Sequence, residues 1–107
     1  MKIYVDLDNT LCVTEGLKYE NSKPIIKRIN VINELYDKGN TITIYTARGS
    51  ISKIDYFDLT ERQLKKWGVK YNHLSVGKKP DYDLLIDDKA ISDRSFFNNK
   101  AYNLNEI

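Results

Sequence analysis

Cysteine occurs once in the 107 residues, as Cys12. A single thiol excludes an internal disulfide and any multi-cysteine zinc site, and it fits a reducing compartment. No apolar run approaches the roughly 20 residues of a membrane-spanning helix. The N-terminus enters a strand pattern directly, without the apolar h-region of a signal peptide. The expectation is therefore a cytoplasmic protein with no membrane partner. An excess of charge is missing too. The 17 basic and 15 acidic residues leave a net charge of +2, too balanced to argue for nucleic acid by itself. Histidine is limited to His73, which reads as a surface or strand-end residue rather than a ligand. Internal repeats, linkers and low-complexity stretches are absent. What remains is a single domain over residues 1–107, long enough to build one core without a structural metal.

Against these absences stands a regular alternation of strand and helix signals. Lys2 to Leu7 is a short β-rich run, apolar on both faces as a central parallel strand would be. Asp8 to Ser22 has no helical period and reads as a loop or small hairpin over the end of that strand. Ser22-Lys23-Pro24 reads as a helix start, serine capping and proline in the first turn. Ile25, Ile29, Ile32 and Tyr36 then recur at helical spacing, and Gly39 sits where the helix would end. Thr41 to Tyr45 is β-branched and aromatic, hence a second strand. Asp58-Leu59-Thr60-Glu61 resembles a capping box for a helix that runs to Trp67 and stops at Gly68, with a start one turn earlier, near Ile54, as the alternative. Tyr71 to Val76 and Leu84 to Ile86 read as further strands, Ala90 to Asn98 as a helix, and Ala101 to Leu104 as a last strand. This order predicts an α/β domain with a mostly parallel sheet and right-handed crossovers.

In open sheets of that kind, ligands sit beyond the carboxyl ends of the strands. Asp6, Thr46 and Asp87 each end a predicted strand, so they converge although the sequence separates them widely. Asp6, Asp8, Asp87 and Asp88 brought into one crevice would repel one another unless a cation intervened. Mg²⁺ suits them, since it prefers oxygen ligands and binds through one or two carboxylates plus a substrate phosphate. Thr46 offers a hydroxyl, Ala47 and its neighbours offer backbone N–H groups, Arg48 a bidentate contact, and Lys78 or Lys79 a cation for a phosphoryl group. Such a set supplies the positioning and electrostatics that phosphoryl transfer demands.

These stretches, in order, resemble the four motifs of the haloacid dehalogenase phosphohydrolase superfamily. Asp6-Leu7-Asp8-Asn9-Thr10-Leu11 resembles the first motif, DxDxT; Thr46 the second; Lys79 before Pro80 the third; and Asp87-Asp88 after Leu84-Leu85-Ile86 the fourth. The resemblance spans nearly the whole chain and implies a three-layer, Rossmann-like, mostly parallel sheet. It implies Asp6 as a nucleophile forming an aspartyl-phosphate. Asp8 would be the acid that protonates the leaving oxygen and then the base on the hydrolytic water. It also implies Thr46, Ala47, Arg48 and Lys79 as phosphate-binding residues, and Asp6, Asp8, Asp87 and Asp88 around Mg²⁺.

Spacing leaves no room for a cap domain between the first and second motifs, or between the second and third. Capless members use oligomerisation or a bulky substrate to close the site. A homo-oligomer or partner protein over the open site is accordingly expected here. The stretches Thr46 to Gly49, Thr60 to Leu64, Trp67-Gly68-Val69, Lys79-Pro80 and Ile86 to Ala90 resemble small phosphatases linked to capsule and surface-polysaccharide synthesis. The implied substrate is a small phosphorylated compound, a sugar phosphate. Polynucleotide 3′-phosphatases share part of the layout, including an arginine after the second motif, so a nucleic-acid or nucleotide phosphatase is the alternative. A non-catalytic partner protein with the same fold is the third reading.

Overall fold

A computed structural model describes residues 1–98. In chain order the elements are β1 (Lys2–Asp6), β2 (Cys12–Val13), a single 3₁₀ turn (Tyr19–Asn21), β3 (Lys23–Pro24), α1 (Ile26–Asp37), β4 (Thr41–Thr46), α2 (Phe57–Lys66), β5 (His73–Val76) and α3 (Asp93–Asn98). Among the described residues, β1, β4 and β5 form a parallel sheet in that order. Both crossovers progress in one direction, which for right-handed connections puts α1 and α2 on one face.

The core confirms that placement. In register, Ile3 pairs with Ile42 and Val5 with Ile44. Ile42, Ile44, Leu7, Ile29, Ile32, Leu35 and Leu64 are all but inaccessible and form one apolar cluster. Successive strand residues point to opposite faces. Tyr4, Asp6, Thr43, Tyr45 and Ser75 therefore share the other face, which is polar and aromatic. α1 and α2 end alike. The N–H groups of Gly39 and Asn40 reach Tyr36 and Leu35, and those of Gly68 and Val69 reach Lys65 and Leu64. This is the Schellman pattern, and after α2 it also seats Val69 against the core beside Leu64.

Several expected elements differ. The expected helix start at Ser22 to Pro24 is instead half of a two-residue antiparallel ladder, Cys12–Val13 against Lys23–Pro24. The Ser22 hydroxyl turns to Thr14, 2.6 Å away, and does not cap the helix. α1 begins three residues later, where the Ile25 N–H is taken by the Leu11 carbonyl. The capping box at Asp58 is also not formed. Asp55 Oδ1 accepts the Phe57 N–H at 2.9 Å, so the acid that serves the start of α2 lies three residues upstream.

The largest difference concerns Leu84-Leu85-Ile86. No strand forms there, and every residue from 80 to 92 is exposed, Leu84 at 76% and Ile86 at 89%. β1 therefore lies at the edge of the described sheet rather than at its centre. Three apolar residues between Asp83 and Asp87 have strand propensity, but a strand exists only where a neighbour pairs with it. The expected last strand at Ala101 to Leu104 lies outside the described residues. No helix among the described residues is long and apolar enough to cross a membrane.

Candidate active site

The polypeptide turns sharply as it leaves β1. The Leu7 carbonyl accepts N–H groups from Thr10 (3.1 Å), Leu11 (2.9 Å) and Cys12 (3.3 Å). Asn9 takes a left-handed conformation, φ 61°, which asparagine tolerates better than most residues. Its side-chain oxygen accepts the Thr14 N–H at 3.1 Å. This turn gives Asp6 and Asp8, two residues apart, separate surroundings.

Asp6 faces a lysine. Its Oδ1 lies 2.9 Å from Lys79 Nζ, and its Oδ2 accepts the Thr10 hydroxyl at 3.1 Å. The carboxylate is one-third exposed, while the lysine is 11% exposed. Lys79 Nζ also sits 4.5 Å from the ring centre of Tyr45 and 5.4 Å from that of Tyr82. Burial alone would push the lysine down. The hydrogen bond and charge of Asp6 outweigh it and raise the lysine above its ordinary value, so the cation persists. Of the two candidate lysines, Lys79 is the one that reaches Asp6; Lys78 is exposed.

Asp8 faces an arginine. Arg48 Nη2 donates to Oδ1 at 2.8 Å and Nε to Oδ2 at 3.0 Å. The Thr14 hydroxyl donates to Oδ1 at 2.6 Å, and the Thr46 hydroxyl lies 3.3 Å from Oδ2. Burial would push this carboxyl up. The Arg48 and Thr14 hydrogen bonds, the Arg48 charge and Thr46 together overcome that and hold it below the ordinary carboxylate range.

Arg48 is 1% exposed, and its other donors are also taken by protein. Nη1 bonds Gln63 Oε1 at 2.6 Å and Thr60 Oγ1 at 3.1 Å, and Nη2 reaches Ser22 Oγ at 3.3 Å. The Tyr19 ring lies under the guanidinium at 4.9 Å. Gln63 Nε2 then donates to the Tyr19 carbonyl at 2.6 Å. The placement expected for Arg48, beside a phosphate, is thus not the one found, since a guanidinium with all three nitrogens engaged and no exposed face has no free fork. Thr46 is likewise 1% exposed, its hydroxyl between Asp8 and the Arg48 N–H. Ala47 is half-buried at the turn after β4. Thr60, Gln63, Thr14, Ser22 and Tyr19 complete the cluster, and none was singled out as a site residue from the sequence. Thr60 and Gln63 do carry a signal: they lie in the Thr60 to Leu64 stretch of the phosphatase resemblance and are polar on the helix face that also carries Leu64.

Asp87 and Asp88 are exposed on the segment that follows Lys79, with Asp87 Oδ1 accepting the Lys89 N–H at 3.2 Å. That contact draws Asp87 below its ordinary value. The expected gathering of four carboxylates is not present. No group of three acidic, histidine or cysteine side chains able to hold a metal occurs among the described residues. Asp6 is open to a cation, but both oxygens of the Asp8 side chain are occupied by protein donors. As placed, the four acids do not enclose Mg²⁺. Cys12 is buried, its thiol pushed up mainly by desolvation, and serves as packing.

No family model matches the chain, and no curated protein does. Among solved structures it superposes on an MCSG target protein from Vibrio cholerae with a TM-score of 0.83. The two are 30% identical over 98% of this chain and 91% of the other. It also superposes on a chain of the Pnkp1/Rnl/Hen1 complex with a TM-score of 0.59 and 21% identity. That match covers 92% of this chain but 34% of the longer one, and it is a likeness of fold.

Proposed function

For a chain that belongs to the same family as the Vibrio cholerae protein, we propose a phosphomonoester hydrolase of the haloacid dehalogenase type, with a Rossmann-like core and no cap. The observation that carries the reading is the pairing of Asp6 with Lys79 at the carboxyl end of β1, with Asp8 held separately two residues on. A carboxylate that is one-third exposed and backed by a cation is suited to attack phosphorus. Lys79 draws the phosphoryl oxygens and offsets the charge that gathers as Asp6 adds.

The step balances simply. An Asp6 oxygen forms the new bond to phosphorus, the ester oxygen leaves and takes a proton from Asp8. Water, losing its proton to Asp8, then displaces Asp6 and yields inorganic phosphate. Asp8 rests as a carboxylate against Arg48. It takes up a proton from the bound phosphate monoanion before the ester breaks, passes it to the leaving oxygen, and as the carboxylate again receives the water's proton. Mg²⁺ belongs to the reading for the charge neutralisation it supplies when bound. Because the acids as placed do not enclose it, no step is routed through it.

A small sugar phosphate is the proposed substrate, and surface-polysaccharide synthesis the proposed setting. A second reading, a polynucleotide 3′-phosphatase or nucleotidase, is favoured by the fold likeness to the chain from the Pnkp1/Rnl/Hen1 complex. A third, a non-catalytic partner protein, draws on the exposed position of Asp87 and Asp88.

A panel of phosphate esters, including sugar phosphates and a 3′-phosphorylated oligonucleotide, assayed with and without Mg²⁺, separates the three. Turnover of sugar phosphates supports the first. Salt-dependent binding and cleavage of the oligonucleotide alone supports the second. No turnover of any ester supports the third.

A further inference from the structure

Arg48 follows β4, where a phosphate-binding residue is expected, but it is buried with all three guanidinium nitrogens engaged by other side chains. Its guanidinium ties together three parts of the molecule. It grips Asp8 through Nε and Nη2, α2 through Thr60 and Gln63, and the segment between β2 and β3 through Ser22 and the Tyr19 ring. Gln63 joins the last two by donating to the Tyr19 carbonyl. No buried polar side-chain atom among the described residues lacks a partner, so the network is complete without a ligand.

We propose that Arg48 is a positioning residue that fixes the Asp8 carboxylate in one orientation for proton transfer, and that Gln63 holds Arg48 in place. The proposal rests on the phosphatase reading above. A planar fork with two donors on one carboxylate sets both the distance and the plane of that carboxylate. Lysine keeps the charge but is a point donor, and so loses the plane. If Arg48 bound the phosphate directly, its loss would weaken substrate affinity. As a positioning residue, its loss lowers turnover of substrate already bound. Gln63 acts one step further out. Replacing it by leucine leaves the Asp8 contacts of Arg48 in place, leaves Nη1 with Thr60 as its one remaining partner, and frees the Tyr19 carbonyl.

The test is steady-state kinetics with Mg²⁺ on the best ester from the panel, for the wild type, Asp6→Asn, Arg48→Lys and Gln63→Leu. Circular dichroism melts show that each variant is folded. The expected result is a kcat lowered about 10- to 100-fold in Arg48→Lys and by a smaller factor in Gln63→Leu, with KM within about twofold in both. Should Arg48→Lys fail to fold, Gln63→Leu carries the test alone. A raised KM at unchanged kcat, or unchanged kinetics in the folded variants, overturns the proposal while the phosphatase reading stands. A wild type that turns over no more ester than Asp6→Asn overturns the phosphatase reading, and the proposal with it.

Discussion

Two aspartates separated by one residue occupy opposite electrostatic settings. Asp6 is open and backed by Lys79, while Asp8 is enclosed and gripped by Arg48. The second pair has a consequence for stability. Arg48 has no exposed side-chain surface, so removing its partner leaves a buried cation with no countercharge. Asp8→Ala should therefore destabilise the protein by about 3 kcal/mol, read from the midpoint of urea unfolding. A loss below about 1 kcal/mol would mean that Thr60, Gln63 and Ser22 suffice to hold the guanidinium. The site was unevenly legible at this scale. Asp6, Asp8 and Lys79 could be singled out because DxD after a strand and a lysine before a proline are local patterns. The direction of Arg48 could not. Its partners come from α2 and from Tyr19 and Ser22, far apart in sequence, and only the packed fold decides which way a long side chain turns.

At the scale of elements, turns and ends carry most of the specificity. Gly49 follows Arg48 with φ 81°, and a Cβ there would run into the Ile54 carbonyl oxygen and crowd the Tyr56 ring. Gly49→Ala should cost about 2 kcal/mol, more than the small gain alanine brings by restricting the unfolded chain. Equal melting temperatures for the two proteins would contradict that geometry.

The short helix α3 is tied to α1 by Arg28 and Asp93, 2.7 Å apart, with Phe97 beside the Arg28 guanidinium at 4.8 Å. Desolvation would raise the Asp93 carboxyl, but the Arg28 hydrogen bond and charge prevail and lower it. A group depressed in the folded state stabilises above its unfolded pKa, about 3.9, and the contribution is lost as pH falls through the folded value. Asp93→Asn should thus be less stable by about 0.5 to 1 kcal/mol at neutral pH. That deficit should vanish in strong acid, followed by thermal melts across the pH range; a deficit independent of pH would contradict the ion-pair account.

Sequence patterns located the three strands of the parallel sheet among the described residues, each a short run rich in apolar and aromatic residues bounded by polar residues or glycine. They misplaced the start of α1. Ser22 and Pro24 form a good cap signal, yet the same residues serve a ladder with Cys12–Val13 and a hydroxyl contact with Thr14. A tertiary demand prevailed over a local preference there, whereas at Asp58 another local contact did, Asp55 accepting the Phe57 N–H.

For the molecule as a whole, the parallel sheet β1-β4-β5 and its single apolar core present Asp6, Thr46 and Val76 at strand ends on one side. The Asp6–Lys79 and Asp8–Arg48 pairs assemble there. The fourth expected contributor, Asp87-Asp88, sits on an exposed segment. Its apolar run Leu84-Leu85-Ile86 was legible as a strand candidate but not as a paired one, since pairing depends on a neighbour that no local pattern names.

The central claim is that Asp6 attacks phosphorus. The measurement that tests it most directly is release of inorganic phosphate from a panel of phosphate esters with Mg²⁺, comparing wild type with Asp6→Asn. The two side chains are nearly equal in size, and the substitution removes the nucleophile's charge. The account predicts turnover by the wild type and a loss of at least about 1,000-fold in the variant, in keeping with the removal of a covalent nucleophile. Equal release by the two proteins, or none by either, would contradict it.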